Sequence, residues 1–354
     1  MFDLLLTGGW VMDGLGSSPY QADVGVENGR ISAVGKLQPE GARVIDCSGR
    51  CISPGWVDIH GHADWTVLDH PIGLNLLIQG CTLTVAGNCG FSPAPVSARI
   101  DDMYRSGQLR SLDLATYEEM RRRYPHTTWG MAGFLEEIEK AQPGVNYVQL
   151  VGHNALRRSI MGHDPRRATE DEIQRMGRVL QRSLEEGAYG MSSGLVFLPG
   201  CWSDTGELIE LARIVARHDG VYASHIRGER ETNIAATQEF IQIAETAGVR
   251  AHMSHMQSKY PVFGNNVMKI EMLQQARLRG VDVTCDSESF PNAMARPATF
   301  LQIYHYTPEQ LVARLSSPKG REEIKRRMQQ MRSQQQRRPG ARGQGPQSDR
   351  PPGH

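Results

Sequence analysis

The stretch "WVDIHGHAD", residues 56–64, decides how the rest of the chain is read. A short apolar run gives way to two histidines one residue apart, with an aspartate close behind. Continued as a β-strand, alternate side chains turn to opposite faces, so His60 and His62 share a face about 6.5 Å apart along the strand. Two imidazoles so placed can reach one divalent ion. For an isolated His-x-His a solvated surface pair is the commoner explanation, and the rest of the chain decides between the two.

At 354 residues the chain is long enough to bury a sizeable core. Lys+Arg and Asp+Glu balance at 39 each, so no global field favours nucleic acid or an acidic lipid surface. There is no apolar run long enough to span a membrane. The opening "MFDLLLTGGWVMDG" lacks the basic region and small-residue cleavage site of a signal peptide. The six cysteines (47, 51, 81, 89, 201 and 285) are too sparse for a disulfide framework, and free thiols in a reducing cytoplasm are expected.

Residues 1–52 alternate apolar and polar positions between Asn-Gly and Gly-Gly turns, which predicts hairpins of a small β-unit, half of a β-sandwich. From Trp56 the texture changes. Short apolar runs ("WVDIH", "TLTVAGN", "YVQLVGH", "AYGMSSG", "GVYASHI", "VRAHMSHM", "GVDVTCD") alternate with amphipathic segments. Thr169 and Glu172 form a capping box, Gly187, Gly220 and Gly248 close helices, and Thr307 with Pro308 opens another. Repeated strand-then-helix units predict an α/β fold with a parallel sheet buried on both faces. Seven strand candidates point to a (β/α)8 TIM-type barrel lacking its last unit, over residues 53–328. An open doubly wound sheet is the alternative, although no G-x-G-x-x-G supports a dinucleotide site. From Met331 the chain carries five Arg against one Asp and no large apolar residue except the methionine itself, so 329–354 is expected to be a disordered basic tail. A basic arm without interleaved aromatics does not make a nucleic-acid platform.

Barrel enzymes keep their chemistry at the C-terminal ends of the strands. There this chain places His60 and His62, Cys89, His153, His225 with Arg227 and Glu229, His255, and Asp286. His252, three residues before His255, should face away from it. Taken singly, each residue reads as a packed or solvated side chain; together, at equivalent positions, they favour a metal site. His70, His126, His163, His218 and His305 fall in helices or loops and receive no role.

"ISPGWVDIHGHAD" resembles the first-strand signature of the amidohydrolase superfamily, and "GNCGFSPAPV" is similar to the branch of N-acyl-D-amino-acid deacylases, the D-aminoacylases. The fourth strand, "GAYGMSSGLVFLPG", has no lysine where most two-metal branches carry a carboxylated one. "VGHNALR", "ASHIRGE" and "MSHMQ" resemble further segments of the deacylases, and the 30-residue step from His225 to His255 fits them. The resemblance implies a tightly held Zn2+ on Cys89, His225 and His255. His60 and His62 would line a second, weaker metal position or polarise the scissile carbonyl. It implies hydrolysis of N-acyl-D-amino acids by zinc-activated water. Arg227 would pair with the substrate carboxylate or make a structural salt bridge.

The chain also departs from that pattern. The resemblance implies a general-base aspartate at the end of an eighth strand, over a hundred residues beyond His255, and residues 1–354 do not contain it. A truncated or frameshifted deacylase of impaired activity is therefore expected. Asp286 is a candidate substitute base, with a hydrogen-bonding structural role as the alternative. Gln257 stands where the deacylases commonly have a lysine, and Phe197 where tyrosine is frequent, so both are expected to bear on substrate binding. The other readings are a cyclic-amide hydrolase of the dihydroorotase or hydantoinase type, and a non-catalytic metal-binding remnant. The expected partner is a small N-acyl amino acid or related amide, and the sequence leaves the oligomeric state open.

Overall fold

Strands form in the first part of the chain wherever Leu, Val and Ile alternate with polar residues between turn glycines. These are β1 (Leu4–Val11), β2 (Tyr20–Glu27), β3 (Arg30–Gly35), β4 (Arg43–Asp46) and β5 (Cys51–Ile52). The β2–β3 hairpin turns on Asn28 and Gly29, at φ 51° and 72°, the left-handed pair that a two-residue hairpin requires. The sheet runs β3-β2-β1-β4, with β5 also on β1. The β1–β2 and β2–β3 pairs are antiparallel, and β1–β4 and β1–β5 are parallel. This is the small β-unit expected from residues 1–52. The computed structural model describes residues 1–95, 130–162, 164–259, 262, 264–287 and 308–336.

Seven further strands make the second sheet: β6 (Trp56–Asp58), β7 (Cys81–Ala86), β8 (Asn146–Gly152), β9 (Gly190–Gly194), β10 (Val221–His225), β11 (Arg250–Met253) and β12 (Val283–Cys285). Their order is β12-β11-β10-β9-β8-β7-β6. Each strand lies beside its sequence neighbour, and the order never reverses. A doubly wound sheet would reverse at a switch point, so this is the incomplete TIM barrel. The pairs from β8 to β12 are parallel.

Among the described residues the helices are α1 (Leu74–Leu77), α2 (Met131–Ala141), α3 (His153–Met161), α4 (Glu170–Glu185), α5 (Thr205–Arg217), α6 (Asn233–Ala247), α7 (Asn265–Leu278), α8 (Pro308–Ser316) and α9 (Pro318–Gln336). Apolar residues three or four apart bury one stripe of each barrel helix. Met176, Leu180 and Leu184 on α4, Leu208, Leu211 and Val215 on α5, and Phe240, Ile243 and Ala244 on α6 join Met191, Tyr222, Ala251 and Val283 of the strands in one core. The predicted capping box is formed: Thr169 accepts from the Glu172 amide, and the Glu172 carboxylate accepts from that of Thr169. Gly248 ends α6 at φ 65°.

Two expectations need correction. β6 stops at Asp58, so strand alternation is not what brings His60 and His62 together; both lie in the loop beyond it. At the other end, α9 is helical to Gln336, eight residues into the segment expected to be disordered from 329, and 337–354 lie outside the described residues. The chain divides into two compact units, Met1–Asp58 with Leu74–Leu83, and Ile59–Gly73 with Thr84–His354. All the strand-end residues discussed below belong to the second unit.

Candidate metal centre

The site is built on the turn that follows β7. Gly87 and Gly90 sit at φ 82° and 79°, and Cys89 between them at 55°. A side chain in this left-handed region costs about 1–3 kcal/mol and persists only where its surroundings enforce it. The neighbouring strand does so. A Cβ on Gly194 would fall 2.0 Å from the Cys89 carbonyl oxygen, and one on Gly90 would fall 2.6 Å from the Gly194 amide nitrogen. The "GMSSG" strand and the Cys89 turn therefore touch backbone to backbone, and only glycine permits it. The Ser192 hydroxyl accepts from the Gly90 amide at 2.9 Å and donates to the Gly87 carbonyl. Asn88 Nδ2 donates to Val85 O at 3.0 Å and Gly61 O at 3.4 Å, which ties the cysteine turn to the loop carrying the two histidines.

Cys89 Sγ lies 3.4 Å from His60 Nε2 and 3.5 Å from His255 Nε2. The ring centroids of His60 and His62 are 5.6 Å apart, and those of His225 and His255 are 4.2 Å apart. Among the described residues, two groups of donors could each hold an ion: His60, His62 and Cys89, and Cys89, His225 and His255, the atoms of each within 4.8 Å of one another. Cys89 belongs to both. Around a tetrahedral Zn2+ the sulfur and nitrogen ligands stand roughly 3.5 Å apart, so the observed separations fit that ion. Both ring nitrogens of buried His225 find no hydrogen-bond partner among the described residues. A buried group of this kind ordinarily has one, and a metal would supply it.

The charges agree with a donor set of this kind. Burial opposes ionisation of the Cys89 thiol, yet His225, His255, His60 and His62 draw its pKa well below the ordinary value. Burial also opposes a charged His60, but bonds to Asp286 and Cys89 lift its pKa to about 9. His255 rises to about 10 against the same burial, through Cys89 and Glu229. Desolvation would raise the Glu229 carboxyl, but His255, His225 and Lys259 hold it far below the usual range. Asp286 is likewise held down, against desolvation, by His252 and His60. A metal would replace the imidazolium protons, so its uptake releases protons.

The remaining strand-end residues sort into other roles. Asp286 accepts from His60 Nδ1 at 2.9 Å and from His252 Nε2 at 3.0 Å, and it also accepts from the His255 backbone amide. It is a hydrogen-bonded anchor of the site. His153 does not join the cluster. Its Nε2 pairs with Glu207 at 2.7 Å, and Glu207 also holds Arg157, in a network with almost no exposure. Burial pushes the His153 pKa down. Arg227 makes an ion pair, its Nε 2.9 Å from Glu239 Oε2. Phe197 sets its ring edge-on to His225 at 4.9 Å and packs on Phe91 at 5.3 Å. The Gln257 backbone carbonyl accepts from the buried amine of Lys269 at 2.9 Å. Sequence reasoning passed over Lys259, whose amine pairs with Glu229, and gave Glu229 no role beyond its position. The available signal was spacing: each stands four residues after one of the histidines, His225 or His255.

Comparison with known proteins identifies the family. Residues 43–315 match the model of a family described as the amidohydrolase family. The chain is 34% identical over 294 residues to N-acyl-D-glutamate deacylase of Alcaligenes xylosoxydans xylosoxydans, covering 82% of this chain and 57% of that protein. A solved N-acyl-D-glutamate deacylase from Bordetella bronchiseptica, in complex with zinc and a phosphonate mimic of the tetrahedral intermediate, superposes with a TM-score of 0.75 at 30% identity, over 92% of this chain and 70% of that one. A D-aminoacylase described as having a binuclear metal centre superposes with a TM-score of 0.71 at 33% identity, over 82% of this chain and 59% of that one. The chain thus spans a little over half the length of the curated deacylase it matches.

Proposed function

The chain belongs to the amidohydrolase family, and from that premise we propose that it is a zinc-dependent deacylase cleaving N-acyl-D-amino acids to a carboxylate and a D-amino acid. The observation that carries this reading is the convergence of Cys89, His225 and His255 within 4.8 Å, beside a second group that shares the cysteine. One thiolate and two imidazoles leave a fourth position open, which a catalytic zinc needs. His60 and His62 are assigned to a second, weaker metal position or to the scissile carbonyl. The deacylase relatives support the substrate class.

When bound, zinc supplies Lewis acidity that polarises the amide carbonyl and lowers the pKa of water. The chain's own residues supply the rest. Asp286 holds the proton on His60 Nδ1 and so turns Nε2 toward Cys89. Phe197, edge-on to His225, walls that side of the site and keeps water off the imidazole. Arg227 and Gln257 are assigned to the rim of the substrate pocket; Glu239 fixes the first, and Gln257 presents an amide where a lysine would present a charge. That exchange favours acyl substrates whose carboxylate is recognised by hydrogen bonds rather than by a buried cation.

The test is an assay of paired enantiomers of N-acetyl amino acids, before and after treatment with a chelator. Hydrolysis of the D series alone, slow in keeping with the impaired activity expected from the sequence, abolished by chelation and restored by zinc, is the expected result. Equal turnover of L substrates, or turnover that survives chelation, contradicts the proposal.

A further inference from the structure

The two imidazoles that face Cys89 through Nε2 each meet a carboxylate through Nδ1. His60 has its Nε2 3.4 Å from Cys89 Sγ and its Nδ1 2.9 Å from Asp286 Oδ2. His255 has its Nε2 3.5 Å from the same sulfur and its Nδ1 3.4 Å from Glu229 Oε1. Each imidazole belongs to a different donor group. The same Glu229 oxygen lies 3.6 Å from His225 Nε2, so it faces both histidines of the second group.

Both carboxylates are held from behind. Asp286 accepts from His252 Nε2 at 3.0 Å and from the His255 backbone amide. Glu229 Oε2 receives the Lys259 amine, and the Lys259 amide donates to the Glu229 carbonyl at 2.7 Å. This second arrangement follows from the sheet. β10 and β11 are parallel neighbours, paired Val221 to Arg250 and Ser224 to Met253. In that register His255 lies one step further along than His225, and the loops that follow the two strands bring Glu229 and Lys259 side by side through the Lys259 amine and amide. Glu229 is nearly buried, at 10% side-chain exposure, and its Oε1 has no hydrogen-bond partner among the described residues. A buried carboxylate oxygen left over in this position has a use if it takes an imidazole N–H once the opposite nitrogen binds a metal.

We propose that Glu229 and Asp286 are separate positioning residues for the two donor groups. Glu229, backed by Lys259, orients His255 and sets the metal affinity of the Cys89–His225–His255 group. Asp286, backed by His252, orients His60 and sets that of the His60–His62–Cys89 group. The inference rests on the metal-site reading above and adds to it a division of labour. A partner fixing the second nitrogen of a metal-binding histidine is worth 10- to 100-fold in affinity, to order of magnitude.

The experiment is a titration of the metal-stripped full chain with Co2+, following the thiolate-to-cobalt charge-transfer band, together with a Zn2+ competition against a chromophoric chelator. Wild type should bind in two steps. Glu229→Gln should weaken the tighter step about 10- to 100-fold and leave the weaker one within about twofold, and Asp286→Asn should do the reverse. Glu229→Gln/Lys259→Met removes the amine left unpaired and should match the single variant; it serves as the test if Glu229→Gln alone fails to fold by circular dichroism. Equal weakening of both steps by either substitution, or no change in either, overturns the division of labour while leaving the metal site standing. Failure of wild type to take up cobalt or zinc overturns the metal reading and this inference with it.

Discussion

Cys89 and His255 are both donors, and both are held at positive φ, 55° and 34°, where a non-glycine side chain is strained. The strain is sustained by contacts that leave no slack, and Gly194→Ala tests this. Its new Cβ would fall 2.0 Å from the Cys89 carbonyl, so the turn must move. A loss of about 1–3 kcal/mol in stability is expected by chemical denaturation, together with weaker metal uptake. A second residue-scale outcome concerns the buried network away from the donors. Glu207→Ala leaves Arg157 and His153 buried without their carboxylate, and should cost about 3–5 kcal/mol in urea unfolding with little change in metal affinity. At this scale the sequence disclosed which side chains converge, because strand ends are where a barrel gathers side chains. It did not disclose the fate of Arg227 or His153. Their partners, Glu239 and Glu207, lie on helices, and helix-to-strand distances are not written in spacing alone.

Helices and strands follow their local codes more closely. The Thr169 and Glu172 capping box was legible from two letters three apart, and Thr169→Ala should cost about 1 kcal/mol, measured by thermal or chemical unfolding. Glu172 also accepts from Arg166, which, with the Thr169 bonds, holds its pKa at about 2, below its ordinary 4.5. A carboxyl lowered on folding stabilises the protein above its unfolded pKa, and that contribution fades as pH falls through the folded value. The stability difference between wild type and Glu172→Gln should therefore be full above about pH 5 and shrink steadily toward pH 2. A difference that stays constant across that range would show that the carboxylate's charge is not what matters. Less legible was the end of β6, because alternation marks a strand's faces but not where its ladder stops. His60 and His62 converge from a loop, fixed through Asn88 and Asp286.

Across the whole molecule, the order of seven strands, each beside its sequence neighbour, converts scattered letters into one site. It brings Cys89, His225 and His255 together from positions 136 and 30 residues apart in the chain. The alternation of strand and helix announced this architecture. The choice between a barrel and a doubly wound sheet needed the strand order itself, which depends on pairings between distant segments. Because the donors come from three separate strand ends, metal binding should be linked to global stability. Zn2+ at about 100 times its Kd should add about 2.7 kcal/mol to unfolding of the wild type, seen as a rise in Tm. Whether Cys89 is the shared ligand of the centre is decided by the metal content of the purified chain and of Cys89→Ala, measured by inductively coupled plasma mass spectrometry. At least one zinc per wild-type chain, and almost none in a folded Cys89→Ala variant, is the expected result. Equal zinc in both proteins, or none in folded wild type, would contradict it.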